Sequence, residues 1–239
     1  MAKAIQKPLQ TEIEKFNALA SRWWDPHGPM APLHWMNPAR LDFIYRHLDA
    51  CGIAPPAKGL DIGCGAGLLT EPLARYGFNM TGIDGAADAV SVAQDRIKNE
   101  QLNIRYQVEL SHNLTSTYNH YNFITALEII EHVKKPERFI TEAVSKLKPG
   151  GLIFISTLNR TLKSRIFSIY LAEYILRVLP VGTHEAKSFI RPSELTQWLQ
   201  DAGCEIVDMA GMTFQPLMRS FVLDPANLDI NYIVCARRL

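Results

Sequence analysis

Three residues that can do acid-base or ligand chemistry fall within five positions of one another: Glu128, Glu131 and His132 follow an apolar run at 123–127. If the chain turns helical there, offsets of three and four put all three on one face. Two carboxylates and an imidazole can then ligate a divalent cation such as Mg through oxygen and nitrogen donors, and a bound cation acidifies a coordinated hydroxyl. Without a metal, Glu131 or His132 can serve as a general base. A third reading gives neither role: an acid at a helix N-terminus answers the dipole and a histidine packs beneath a ligand. A second constellation lies upstream. Gly63, Gly65 and Gly67 stand in Leu60-Asp-Ile-Gly-Cys-Gly-Ala-Gly, where the absence of side chains lets a ligand approach the main chain and a helix N-terminus. The spacing is one residue shorter than the dinucleotide pattern G-x-G-x-x-G. Asp84 lies 23 positions beyond Asp61 at the end of the next apolar run, where a carboxylate can accept hydrogen bonds from ribose hydroxyls.

Positioning these groups requires strands that end together at one edge. From Lys58 onward, apolar runs at 59–62, 79–83, 104–108, 123–127, 152–157, 205–210 and 230–236 alternate with amphipathic stretches at 68–76, 87–99, 136–147 and 192–202. That rhythm predicts βαβ units and an α/β fold: a seven-stranded, mostly parallel sheet with helices on both faces and an antiparallel last strand. Ligands of such sheets sit at the C-terminal ends of the strands, where both constellations fall. Residues 1–50 read as an aromatic-rich N-terminal helical lid ahead of a domain at 51–239, and 158–187 interrupt the alternation as an inserted amphipathic helix with flanking turns.

Asp-Ile-Gly-Cys-Gly-Ala-Gly resembles motif I of the class I S-adenosylmethionine-dependent methyltransferases, in which the loop packs against the amino-acid portion of the cofactor. Lys148-Pro-Gly-Gly-Leu resembles the segment before their fifth strand. A narrower resemblance is carried by Asn37-Pro-Ala-Arg-Leu, Glu128-Ile-Ile-Glu-His-Val, Ser156-Thr-Leu-Asn-Arg-Thr, Ala172-Glu-Tyr-Ile-Leu-Arg, Gly182-Thr-His-Glu and Phe189-Ile-Arg-Pro-Ser-Glu-Leu. These look like the ubiquinone-biosynthesis 3-O-methyltransferase family, from about Phe16 to near Tyr232. The resemblance implies that S-adenosyl-L-methionine is held by the backbone near Gly63 and Gly65, by the Asp84 carboxylate, by the main chain at Leu127 and by Arg40. It implies methylation of phenolic hydroxyls of polyprenylated catechol and hydroquinone intermediates at both O-methylation steps of the pathway. Ala66 stands where the family often has glycine, a small-for-small change. On a catechol, the Glu128, Glu131 and His132 cation would chelate both oxygens.

Composition bounds the remaining classes. The 239 residues carry 25 Lys and Arg against 24 Asp and Glu, so no global basic field draws the chain to nucleic acid. The four cysteines show no Cys-x-x-Cys pair, against structural zinc and consistent with reduced thiols. The N-terminus lacks a signal-peptide run and no segment is long enough to span a bilayer, so a cytoplasmic protein is expected. A polyprenyl substrate lives in the membrane, however, and residues 160–179 combine Arg160, Lys163, Arg165 and Arg177 with bulky apolar side chains. We therefore expect peripheral association with the inner membrane surface through this segment, and docking to other ubiquinone-biosynthesis proteins is compatible with it. His184 is a second candidate base, with a structural contact the plainer role. Two rival classes stand beside the enzyme reading: a membrane-associated assembly factor that binds cofactor without transferring methyl, and a nicotinamide-dependent oxidoreductase, which the glycine spacing disfavours.

Overall fold

The structure is a computed structural model that describes residues 7–110, 120–164, 166–167 and 189–239. Helix α1 (Lys7–Leu19), a 3-10 turn (Ala20–Arg22) and α2 (Ala31–Ala50) precede the alternating part of the chain. There β1 (Lys58–Ile62), α3 (Thr70–Arg75), β2 (Asn79–Asp84), α4 (Ala87–Ile97), β3 (Ile104–Val108) and β4 (Tyr121–Leu127) follow in order. A second 3-10 turn (Ile130–His132), α5 (Pro136–Lys146) and β5 (Leu147–Leu158) lead toward α6 (Pro192–Asp201), β6 (Cys204–Gln215), β7 (Ser220–Asp224) and β8 (Asn231–Arg238).

The strands form one sheet in the order β3-β2-β1-β4-β5-β8-β6-β7. Strands β1 to β5 pair in parallel, whereas β8 runs antiparallel to both β5 and β6. Alternate residues of the central strands enter different apolar layers. Ile124, Ile153 and Ile155 pack with Phe139 and Ile140 of α5 and Leu195 and Leu199 of α6. Phe123, Leu152 and Phe154 pack with Phe43, Ile44 and Leu48 of α2 and Leu73 of α3. Burial on both faces is why these strands read as unbroken apolar runs in sequence. Helix starts follow local chemistry: Pro136 and Pro192 occupy the first turns of α5 and α6, where a missing N–H costs nothing, and the Glu194 carboxylate accepts from the Arg191 backbone N–H at 2.9 Å.

The fold departs from the expected one in three respects. It has eight strands among the described residues; the additional one, β7, pairs antiparallel with a long β6 as an edge hairpin. Its pattern of Ser-Phe-Val-Leu-Asp is only five residues long, so periodicity alone does not separate it from a loop. Residues 128–132 are not helical as the shared-face argument requires: only Ile130–His132 form a single 3-10 turn, and Glu128 precedes it in the left-handed region at φ 55°. The N-terminal 50 residues also divide by packing. The second half of α2 belongs to the sheet's core, whereas the segment from Phe16 to Met30 makes its own cluster with Ala66, Ala86 and Ala89 over the start of the glycine loop and α4. The expected insertion at 158–187 falls mostly on residues 165 and 168–188, which lie outside the described residues, as do His184 and Lys187.

Candidate active site

The glycine loop leaves β1 with Gly63, Gly65 and Gly67 all at positive φ, 78°, 51° and 85°. The backbone N–H groups of Gly63 and Cys64 both donate to the Ile83 carbonyl at 2.9 and 3.0 Å, tying the loop to the end of β2. Asp84 closes that strand. Its Oδ2 accepts from the Gly65 N–H at 2.8 Å and its Oδ1 from the Ala86 N–H at 2.7 Å. Burial raises its pKa, and the backbone donors pull the other way. Asp61, the acid of the motif itself, lies inside: its carboxylate accepts from Thr70 Oγ1 at 2.6 Å and Thr125 Oγ1 at 2.7 Å. Desolvation pushes it up to about 6, and its position marks it as an internal tie between β1, β4 and α3.

The tryptophans of the N-terminal segment close the outside of this loop. A Cβ at Gly65 would lie 2.2 Å from a ring carbon of Trp23, so only glycine accommodates that ring. The Trp24 indole N–H donates to the Ala66 carbonyl at 2.9 Å. Arg96 stacks 3.5 Å above the Trp24 ring and pairs with Glu71 at 3.1 Å, which also holds Arg75 at 2.9 Å. The basic residues around Trp24 thus serve a clamp on the loop. The sequence carries the tryptophans plainly, but no spacing rule links 24 to 66, 71 and 96.

At the C-terminal end of β4 the site is built from side chains. Glu128 accepts from Arg40 Nη2 at 3.0 Å, from Ser156 Oγ at 2.6 Å, and from Asn231 Nδ2 at 3.1 Å to each of its oxygens. Its own N–H donates to the Ser156 carbonyl at 3.0 Å. A non-glycine residue at φ 55° is strained and needs such surroundings to persist. Glu131 turns elsewhere: its Oε2 accepts from Thr157 Oγ1 at 2.8 Å. Burial, followed by the neighbouring Glu128 charge, pushes its carboxyl up to about 7, with His132 and Thr157 opposing. His132 sits half-buried beside it in the same turn. Leu127 lies opposite Ser156 in the β4 and β5 register.

The helical face that would bring Glu128, Glu131 and His132 together is therefore not formed. Among the described residues no group of three His, Cys, Asp or Glu is arranged to hold a metal ion. The reason is the backbone at residue 128: the left-handed turn sends its carboxylate to Arg40, Ser156 and Asn231, and a cation binding there would have to compete with a guanidinium. The expected basic character of the inserted segment also changes. Arg160 pairs with Glu194 at 2.9 Å, and Lys163 pairs with Asp229. Leu162 and Ile166 are exposed, while Phe167 turns inward against Phe214 and Phe221. No helix of the described residues is long and apolar enough to cross a membrane.

Comparison with known proteins agrees with this geometry. The family described as "Methyltransferase domain" matches residues 33–209. The chain is 41% identical over 235 residues to a "Ubiquinone biosynthesis O-methyltransferase" of Coxiella burnetii, covering 98% of each chain. To the protein of that name from Azoarcus sp. it is 42% identical over 229 residues, covering 95% of this chain and 96% of the relative. Among solved structures, magnesium protoporphyrin IX methyltransferase from Synechocystis with bound S-adenosylmethionine superposes with a TM-score of 0.68 at 18% identity over the full length of both chains. A methyltransferase of Thermotoga maritima described as a possible histamine N-methyltransferase gives the same TM-score of 0.68, covering 95% of this chain and 98% of that one. These structures share the fold at low identity, and the close relatives decide the family: the chain belongs to the ubiquinone-biosynthesis O-methyltransferases, a branch of the class I S-adenosylmethionine-dependent methyltransferases.

Proposed function

We infer that the protein methylates phenolic hydroxyls of polyprenylated catechol and hydroquinone intermediates and serves both O-methylation steps of ubiquinone biosynthesis. The observation that carries this reading is Glu131, a half-buried carboxyl after β4 that holds a hydrogen bond from Thr157 and is pushed up to about 7, the range in which a carboxylate is an effective base for a phenol near neutral pH. S-adenosylmethionine supplies an electrophilic methyl group on a sulfonium. The chain's residues fit it. Asp84 accepts from the Gly65 and Ala86 N–H groups, one on each oxygen, and the Gly85 N–H also acts on it, which leaves about one acceptor site for a ribose hydroxyl. The loop at Gly63 and Gly65 offers bare backbone, and Arg40, whose buried Nε has no partner, offers a donor next to Glu128, the residue that follows Leu127.

Glu131 accepts the phenol proton as the oxygen attacks the methyl carbon, and Thr157 fixes one of its oxygens while this happens. The sulfonium carbon bond breaks with its electron pair left on sulfur, so charge balances without another reactant. His132 is the adjacent alternative acceptor for the proton. Since the side chains do not fit a cation as arranged, no step is routed through one. The remaining catalysis is positioning of the phenol oxygen against the methyl group.

Membrane-surface association through 160–179 is part of the proposal, supported by the exposure of Leu162 and Ile166; residues 165 and 168–179 of it lie outside the described residues. The decisive assay supplies labelled S-adenosylmethionine with a short-chain prenyl catechol and, separately, a prenyl hydroquinone bearing a free third hydroxyl, each with and without chelator. Methyl transfer to both acceptors is expected. Cofactor binding with transfer to neither would instead identify a non-catalytic assembly factor, and loss of turnover in chelator would show that the Glu128 side chain rearranges to take a cation. Flotation with anionic vesicles, comparing the intact chain with one in which Leu162 and Ile166 are made polar, tests the surface; equal binding would remove it.

A further inference from the structure

Glu128 is flanked by two buried polar atoms without partners, Arg40 Nε and Asn231 Oδ1. Arg40 is 5% exposed and Asn231 2% exposed, so neither atom is satisfied by bulk solvent, and a buried unpaired acceptor is costly. The orientation of the Asn231 amide is fixed by its neighbour. A carboxylate only accepts, so the amide nitrogen faces both oxygens of Glu128 at 3.1 Å, and the carbonyl oxygen points away as an acceptor in need of a donor. Its place in the sheet says which donor. Asn231 begins β8, which is separated from β1 and its glycine loop by β4 and β5, three strand spacings or roughly 14 Å. With the methionine end of the cofactor at the glycine loop, as the proposed function has it, Asn231 lies beyond Glu128 in strand order, on the side left to the methyl acceptor.

We propose that Asn231 is a substrate-binding residue whose Oδ1 accepts a hydrogen bond from the hydroxyl vicinal to the one being methylated, making the enzyme selective for ortho-dihydroxy aromatic acceptors. The proposal rests on the phenol-methylation reading above. Both proposed acceptor classes fit it, because a catechol and a hydroquinone with a third hydroxyl each carry a hydroxyl beside the reacting one. Three donors hold Glu128 in its left-handed conformation, and Glu128 in turn holds the amide, so the acceptor atom is preorganised and an acceptor lacking the second hydroxyl leaves it unpaired.

The test compares kcat/KM for a prenyl catechol with that for the matching prenyl monophenol, in the intact protein and in Asn231→Ala and Asn231→Leu. The ratio between two acceptors is independent of how much of each variant folds. Methylation of the catechol by the intact protein establishes the underlying activity; its absence would overturn that activity and not the role of Asn231 alone. With activity present, the intact protein is expected to favour the catechol by at least about tenfold, as for one well-made hydrogen bond to a neutral partner, and both variants to lose most of that preference while their KM for S-adenosylmethionine stays unchanged. An unchanged preference in both variants would show that Oδ1 holds only a buried water. A variant that loses cofactor affinity in step with turnover and keeps its preference would place Asn231 on the cofactor side. Either result overturns the proposal.

Discussion

Around Gly65 the walls of the site are backbone, tied by main-chain hydrogen bonds to the end of β2 and covered by Trp23 and Trp24; around Glu128 they are side chains drawn from α2, β5 and β8. The first region draws its loop geometry from residues 61–86, with the tryptophans added on top, and offers side-chain-free backbone and one carboxylate to a ligand whose shape does not vary. The second gathers residues 40, 128, 131, 156, 157 and 231 and presents titratable and hydrogen-bonding groups. A change in the first region should therefore read out in cofactor affinity, and a change in the second in turnover, pH dependence and choice of acceptor. That separation is open to direct attack.

The largest effect is expected from Glu131→Gln. Removing a general base costs about 10² to 10⁴ in kcat, with the S-adenosylmethionine Kd by calorimetry unchanged. A loss of cofactor affinity of the same size would mean that the two regions are coupled and that Glu131 is part of the cofactor seat. Gly65→Ala is the converse. An alanine at φ 51° costs about 1–2 kcal/mol from backbone strain, and its Cβ meets the Trp23 ring. A cofactor Kd weakened by about tenfold or more is expected, with kcat at saturating cofactor largely kept. Adding Trp23→Ala should restore part of the affinity, because it removes the collision and leaves only the strain. A smaller loss in the same direction is expected for Trp24→Phe, which keeps a ring beneath Arg96 and deletes one hydrogen bond to Ala66, about 1 kcal/mol or roughly fivefold in cofactor Kd. Should this variant instead alter the acceptor KM, the clamp would reach across the sheet.

The contrast also explains what the sequence could convey. Strand, glycine turn, helix and closing acid are contiguous, so the turn at Gly63 and Gly65 and the acid at the end of the next strand were legible from spacing as backbone geometry, and burial of the central strands on both faces wrote their positions as apolar runs. The Glu128 cluster was visible as residue types but not as geometry, since helical offsets assume a helix and the chain instead turns left-handed at residue 128. Asn231 carries no local signal at all. Its contact with Glu128 spans 103 positions and exists only because β8 enters the sheet beside β5 in reverse. Likewise β7 is an edge strand whose five residues bury one face weakly, which leaves little periodicity to read.

The finest test of the side-chain region is the pH dependence of kcat/KM. Glu131 must be ionised to accept a proton, so activity should rise with pH through its pKa, about 7, and level off above it. Thr157 donates to the carboxylate and so favours the charged form, whereas the Glu128 charge disfavours it. Thr157→Val should thus move the rising limb to higher pH, by roughly half a unit to one unit for a lost hydrogen bond, and Glu128→Gln should move it to lower pH. Opposite displacements are specific to a carboxyl lying between those two neighbours. If both variants moved the limb the same way, or neither moved it, the titrating base would be another group, and His132 would be the next residue to change.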